Sequence, residues 1–194
     1  MLTEKLKKYN IILGSASTRR KQLLKGIGLN FSIKITDKEE SYPTDLKDVQ
    51  VVEFLAKQKK KFLSKGLKSN ELLITADTIV SQKGKILHKP KDKNDAKNIL
   101  FNLSGNSHRV ITGICIKTLE KEITFSTITT VHFNKLSETE IEYYINKFKP
   151  FDKAGSYGIQ EWIGYIAIAK IEGSYNNVVG LPTADLYQKL KLFI

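Results

Sequence analysis

Cysteine, arginine and long apolar runs are all scarce in this chain. One cysteine, Cys115, stands among 194 residues, so no internal disulfide can form and a disulfide-stapled secreted scaffold is excluded. No stretch approaches the roughly 18 to 20 consecutive apolar residues of a membrane-spanning helix. The opening MLTEKLKKYN is charged and lacks the apolar centre of a secretory signal, so a cytoplasmic protein is expected. The histidines, His88, His108 and His132, have no metal-ligand spacing. Neither a GxSxG elbow nor a Walker A loop occurs, and zinc hydrolases, serine hydrolases and P-loop ATPases lose their support.

Basic residues are plentiful, and the formal net charge is +12. Such a charge favours polyphosphate partners through counterion release. The lysines, however, are scattered, and no zinc-finger spacing, RRM motif or helix-turn-helix pattern accompanies them. Most are read as solvated surface, and a dedicated nucleic-acid binder is not expected. Of the 32 basic residues only Arg19, Arg20 and Arg109 are arginine, which makes the Arg19-Arg20 pair conspicuous.

Neither repeats nor low-complexity linkers interrupt the chain, and one domain over 1–194 is expected. Periodicity predicts a strand at 10–14, a helix at 18–26 ended by Gly26 and Gly28, and a strand at 31–35. An acidic loop and a long helix at 46–65 follow. LLITADTIVSQKGKILHKP reads as two strands joined at Lys83-Gly84. Further elements are a helix at 93–103, strands at 108–118 and 123–133, a helix at 137–147, a strand at 163–171 and a helix at 181–192. Alternating βα units and hairpins imply a mixed sheet flanked by helices, an α/β fold with a central cleft.

GSASTRR carries a strand into a helix through small polar residues, a form that turns free N–H groups and the helix's positive end towards an anion. Arg19 and Arg20 add forked donors suited to phosphate. The same residues also read as an ordinary N-cap at Ser17 or Thr18 with arginines paired to surface carboxylates. Asp77, within an apolar strand, needs a cation, a metal or hydrogen-bond donors. It is a candidate base or ligand, or a strand-end aspartate satisfied by backbone amides. At 100° per residue, Val49, Val52, Leu55, Ala56, Phe62 and Leu63 form one stripe, with Lys59 near its centre. A partner is expected there, unless the lysine snorkels to water. Lys89 adds a second cation near the Asp77 strand. Glu39 and Glu40, in an acidic loop, offer oxygen ligands that suit Mg²⁺ or Mn²⁺, or form a solvated turn.

In order and spacing, GSASTRR, AKQKKK, ADTIV, HKP, LSGNSHRVITG, DKAGSYGIQ and IEGSYNNVVGLP resemble the Maf family of nucleotide pyrophosphatases over nearly the whole chain. The resemblance implies a mixed α/β fold related to inosine-triphosphate pyrophosphatases (Maf/Ham1). It implies a cytoplasmic, often dimeric enzyme that hydrolyses a nucleoside triphosphate to monophosphate and pyrophosphate with Mg²⁺ or Mn²⁺. By the same resemblance Asp77 would be the proton acceptor, and Arg19, Thr78 and Gln160 would sort substrates. Ser15, Arg20, Lys59 and Lys89 would grip phosphates, and Glu39 and Glu40 would help hold the metal with Asp77. Asp77-Thr78 with GIQ resembles the branch acting on dTTP and UTP. A purine or modified-nucleotide enzyme, and a nucleotide-binding cell-division regulator without turnover, are the alternatives. Two positions depart from the family pattern: Thr18 replaces a proline, and Glu161 replaces a glycine after GIQ, which is expected to set a charge beside the base pocket.

Overall fold

The computed structural model describes residues 1–194. Its seven-stranded mixed sheet has the hydrogen-bonded order β2-β1-β3-β5-β6-β7, with β4 paired to β3. The chain divides into two compact units, residues 1–77, 112–127 and 180–194, and residues 78–111 and 128–179. Three strands, β3 (Glu71–Gln82), β5 (Ser107–Lys117) and β6 (Glu122–Phe133), contribute residues to both.

In the first unit, β1 (Asn10–Gly14) runs parallel to β3, from Asn10 opposite Glu71 to Gly14 opposite Thr75. Successive side chains point to opposite faces. Leu13, Leu72 and Ile74 enter the main core with Leu24, Ile114, Leu186 and Leu190, whereas Ile12 and Leu73 join Leu63 and Leu67 in a second cluster. The main cluster also takes in α1 (Leu2–Leu6), while Leu24 comes from α2 (Thr18–Gly26), and Leu186 and Leu190 from α8 (Thr183–Phe193). β2 comprises Ser32–Ile33 alone. The strand expected over 31–35 is shorter because it is a sheet edge paired with β1 at two positions, and Ile35 is 63% exposed.

The long helix, α3 (Val49–Leu63), starts three residues later than its periodicity predicts. Asp48 at its start has φ +43°, which breaks the helical path, and Leu46 N–H turns back to the Pro43 carbonyl. Burial falls on Val51, Val52, Leu55, Ala56 and Leu63, so Val51 takes the place expected for Val49. The helix lies directly on the strand backbone at Gly113, where a Cβ would stand 2.5 Å from the carbonyl carbon and oxygen of Val52. Thr75 Oγ1 donates to the Ala56 carbonyl at 2.8 Å, fixing α3 along β3.

The second unit begins within β3, which returns through Lys83 (φ +49°) and Gly84 (φ +78°) into β4 (Lys85–Leu87). Two successive positive φ angles make the tight hairpin turn that matches strand twist. α4 (Lys93–Leu103) starts at Asp92, whose side chain accepts from Asp95 N–H. α5 (Glu138–Phe148) starts with a reciprocal capping box between Ser137 and Glu140. A 3-10 turn, Ala154–Ser156, follows.

The strand predicted over 163–171 is half wrong: α6 covers Trp162–Ala167 and β7 only Ile168–Glu172. Gly164 N–H bonds the Glu161 carbonyl at 2.8 Å, and the buried residues Ile163 and Ala167 are four apart, as a helix requires. A short apolar run without strict alternation does not separate the two states. A further short helix, α7 (Tyr175–Val179), occupies the segment before Gly180.

Candidate active site

The loop 15–17 leaves β1 and enters α2, and its serines are used locally. Ser17 Oγ accepts from Arg20 N–H at 3.3 Å as the helix N-cap, and Ser15 Oγ accepts from Ser17 N–H at 3.3 Å. No acidic residue stands in the first turn, so the positive end of α2 faces no carboxylate of its own. Arg19 is half-buried in that turn.

Arg20 reaches inward. Its Nε donates to the Gly180 carbonyl at 2.9 Å, and its Nη1 donates to the Ala76 carbonyl at 2.8 Å and to Ser15 Oγ at 3.4 Å. Burial lowers its pKa and the nearby Asp77 charge opposes that shift. A guanidinium nonetheless keeps its proton at neutral pH.

Lys59 approaches the same place from α3. Its Nζ lies 2.5 Å from Asp77 Oδ1, 3.0 Å from Glu40 Oε2 and 3.2 Å from the Ala76 carbonyl. The side chains of Lys59 and Asp77 are only 12% and 16% exposed. The partner expected for Lys59 is therefore Asp77, with Glu40 as a second. One carbonyl, Ala76, accepts from both the guanidinium and the ammonium, directly before the aspartate. The acidic loop carrying Glu40 is drawn along α3 by Gln58, which donates to the Ser41 carbonyl at 3.0 Å, and by Lys38 over the Phe62 ring. Glu39 is exposed in that loop.

No group of three His, Cys, Asp or Glu is assembled for a metal. Two carboxylates, Glu40 and Asp77, are nevertheless aimed at one point, now held by the ammonium. Mg²⁺ and its like take one or two carboxylates and complete their shell with phosphate and water, so this donor set fits such an ion.

The remaining candidates lie in the second unit. Thr78 follows Asp77 on β3 and is half-buried; Lys89 is exposed before the buried Pro90. The His88 carbonyl accepts from Gly155 N–H at 3.4 Å, linking HKP to the DKAG turn. Gln160 is exposed between buried Ile159 and half-buried Glu161. The Glu161 carboxylate accepts from the Tyr144 hydroxyl and pairs with Lys153 at 3.0 Å. Neither partner was foreseen: Lys153 carried a signal within DKAGSYGIQ, and Tyr144 carried none.

A family model described as Maf-like protein matches residues 10–193. The chain is 48% identical over 194 residues to the dTTP/UTP pyrophosphatase of Flavobacterium johnsoniae, covering both chains completely. It is 49% identical over 195 residues to the dTTP/UTP pyrophosphatase of Porphyromonas gingivalis, covering 99% of this chain and 98% of the relative. Among solved structures, the Ham1 protein of Staphylococcus aureus superposes with a TM-score of 0.50 at 14% identity, over 93% of this chain and 99% of that one. That likeness bears on the mixed α/β fold.

Proposed function

The chain belongs to the Maf family, and from that premise we propose that it hydrolyses dTTP and UTP between the α and β phosphates, releasing the monophosphate and pyrophosphate. The observation that carries the reading is the convergence of Arg20, Lys59 and Asp77 at the Ala76 carbonyl in the first unit.

Water attacks the α phosphorus, the α phosphorus to bridging oxygen bond breaks, and pyrophosphate leaves. Asp77 accepts the proton of that water, a contribution of roughly 10²- to 10⁴-fold. Ser15, Arg19 and Arg20, at the positive end of α2, bind phosphate oxygens. Arg20 works there as a rigid donor, because two backbone carbonyls already orient its plane. Lys59, shared in this state between Asp77 and Glu40, would pass to a phosphate oxygen when the triphosphate enters. Each well-placed donor to developing charge is worth about 3 to 4 kcal/mol. Asp77 and Glu40, with Glu39 from the same loop, would hold Mg²⁺ or Mn²⁺. Such an ion, when bound, lowers the pKa of water and neutralises phosphate charge.

In the second unit we assign Lys89 to phosphate, and Thr78 and Gln160 to the base. The Gln160 amide offers one donor and one acceptor, which complement O4 and N3–H of uracil or thymine. It would pair equally with adenine. The pyrimidine assignment therefore rests on the named activity of the relatives. We take 1–194 as one catalytic domain, free to form a homodimer and working in the cytoplasm; no helix is long and apolar enough to cross a membrane.

The test is a panel of dTTP, UTP, CTP and ITP with Mg²⁺ or Mn²⁺, run in ¹⁸O-water and resolved by anion exchange and mass spectrometry. Expected are UMP and dTMP carrying one ¹⁸O, with unlabelled pyrophosphate, and loss of turnover in EDTA. Silence across the panel, or orthophosphate in place of pyrophosphate, refutes the assignment.

A further inference from the structure

Glu161 follows Gln160 directly, and each oxygen of its carboxylate has a partner in the protein. Oε2 accepts from the Tyr144 hydroxyl, and Oε1 pairs with Lys153 Nζ at 3.0 Å. The Tyr144 hydroxyl in turn accepts the Gly158 N–H at 3.0 Å. Tyr144 is fully buried in α5, its ring stacked on Phe148 at 5.2 Å between centroids. The Lys153 and Glu161 side chains are 11% and 25% exposed, so the pair is only weakly screened by water.

These groups close over the backbone. A Cβ on Gly158 would stand 2.9 Å from Glu161 Cδ and 3.0 Å from Lys153 Cε, so the ends of both side chains lie directly on this backbone. On the other side a Cβ on Gly164 would stand 1.8 Å from the Ile159 carbonyl oxygen, which places α6 hard against the same turn. Glu161 N–H bonds the Gly158 carbonyl at 2.9 Å. Tyr157, buried, gives or takes a hydrogen bond with His108 Nε2 at 2.7 Å. The backbone on both sides of Gln160 is thus pinned, while Gln160 itself is exposed.

We infer that Glu161, with Tyr144 and Lys153, is a positioning residue that holds the 157–161 turn and sets the aim of the Gln160 amide. The inference rests on the reading of Gln160 as the base-reading residue. A glycine at 161, as in the family pattern, would leave the Tyr144 hydroxyl and the Lys153 ammonium without this acceptor. The negative charge expected beside the base is paired with Lys153, which Asp152 also holds at 2.7 Å, and so does not confront the substrate unpaired.

Trp162, the chain's one tryptophan, follows Glu161 and packs edge-on against Tyr143 at 4.8 Å, which makes it a reporter independent of catalysis. Wild type, Glu161→Ala, Glu161→Gln and Tyr144→Phe are compared by acrylamide quenching of Trp162 and by kcat and KM on UTP and CTP. Glu161→Ala should raise quenching, raise KM for UTP about 10-fold with little change in kcat, and lower the UTP-to-CTP preference by a similar factor. Glu161→Gln, which keeps an oxygen for the Tyr144 hydroxyl, should restore most of the preference. Wild-type quenching and preference in Glu161→Ala would overturn the inference. If that variant does not fold, Tyr144→Phe must show the loss of preference, and its absence there overturns the inference equally. A wild type that leaves UTP intact refutes the base-reading assignment instead, and Trp162 quenching then decides alone whether the carboxylate holds the turn.

Discussion

Replacing Lys59 by methionine keeps most of the apolar stem and deletes the ammonium that Asp77, Glu40 and the Ala76 carbonyl share. Breaking a fully buried pair by removing one partner costs about 3 to 5 kcal/mol, because a charge is left without compensation. Here the exposures are 12% for Lys59, 16% for Asp77 and 36% for Glu40, so Glu40 can turn to water while Asp77 cannot do so fully. Discounting for that solvation leaves about 2 kcal/mol. For a chain of this size the melting temperature should fall by about 4 to 8 °C. Activity should fall further, since a donor to phosphate charge is lost: kcat/KM on UTP should drop about 10²- to 10³-fold. Combining Lys59→Met with Asp77→Asn separates the two effects. Without the aspartate charge, deletion of the ammonium should cost about 1 kcal/mol less, a coupling expected of groups in contact. Calorimetry and pyrophosphate release of the four proteins, wild type, the two single variants and the double variant, provide the measurements. A Lys59→Met protein that melts within about 1 °C of wild type and retains its kcat/KM would refute the reasoning.

Asp77→Asn keeps an acceptor for Lys59 but cannot take a proton, so turnover should fall by about 10²- to 10⁴-fold with UTP still bound; retained turnover would remove Asp77 from the role of base. His108 is 2% exposed, and burial first, then His132, lowers its pKa from the ordinary 6.5 to about 4. The unfolded chain therefore binds a proton that the folded one refuses. The stabilisation is complete above pH 6.5 and is lost as pH falls towards 4, by up to about 3 kcal/mol. His108→Gln should flatten that part of the melting curve against pH, and an unchanged slope would contradict it. Gly113→Ala sets a methyl 2.5 Å from the Val52 backbone, where no rotamer relieves the clash. It should destabilise by about 3 kcal/mol in chemical denaturation, and a neutral result would show that α3 slides freely on the sheet.

Local readings succeeded where the deciding contacts lie within a few residues. The run into GSASTRR placed β1 and α2, because a strand, small polar residues and an N-cap form one continuous signal, and Ser17 caps as that signal requires. Lys83-Gly84 gave its turn for the same reason. The 100° spacing of α3 turned Lys59 inward before any partner was known. It misjudged the helix start because the positive φ of Asp48 leaves no mark in periodicity. Periodicity also could not separate helix from strand at 162–167, a short apolar run without strict alternation.

Composition, periodicity and cap chemistry are properties of neighbouring residues, and they determined the element order from β1 to α5, the mixed sheet and the inward lysine. The candidate site joins residues far apart along the chain: Arg20 to Gly180 across 160 positions, and Lys59 to Asp77 across 18. Hydrogen bonds and ion pairs fall off within a few ångströms, so which groups meet is decided only when β1, α3 and β3 pack. Packing alone made the Ala76 carbonyl the shared acceptor of two cations, and packing alone turned Glu161 from an expected stray charge into the anchor of a turn.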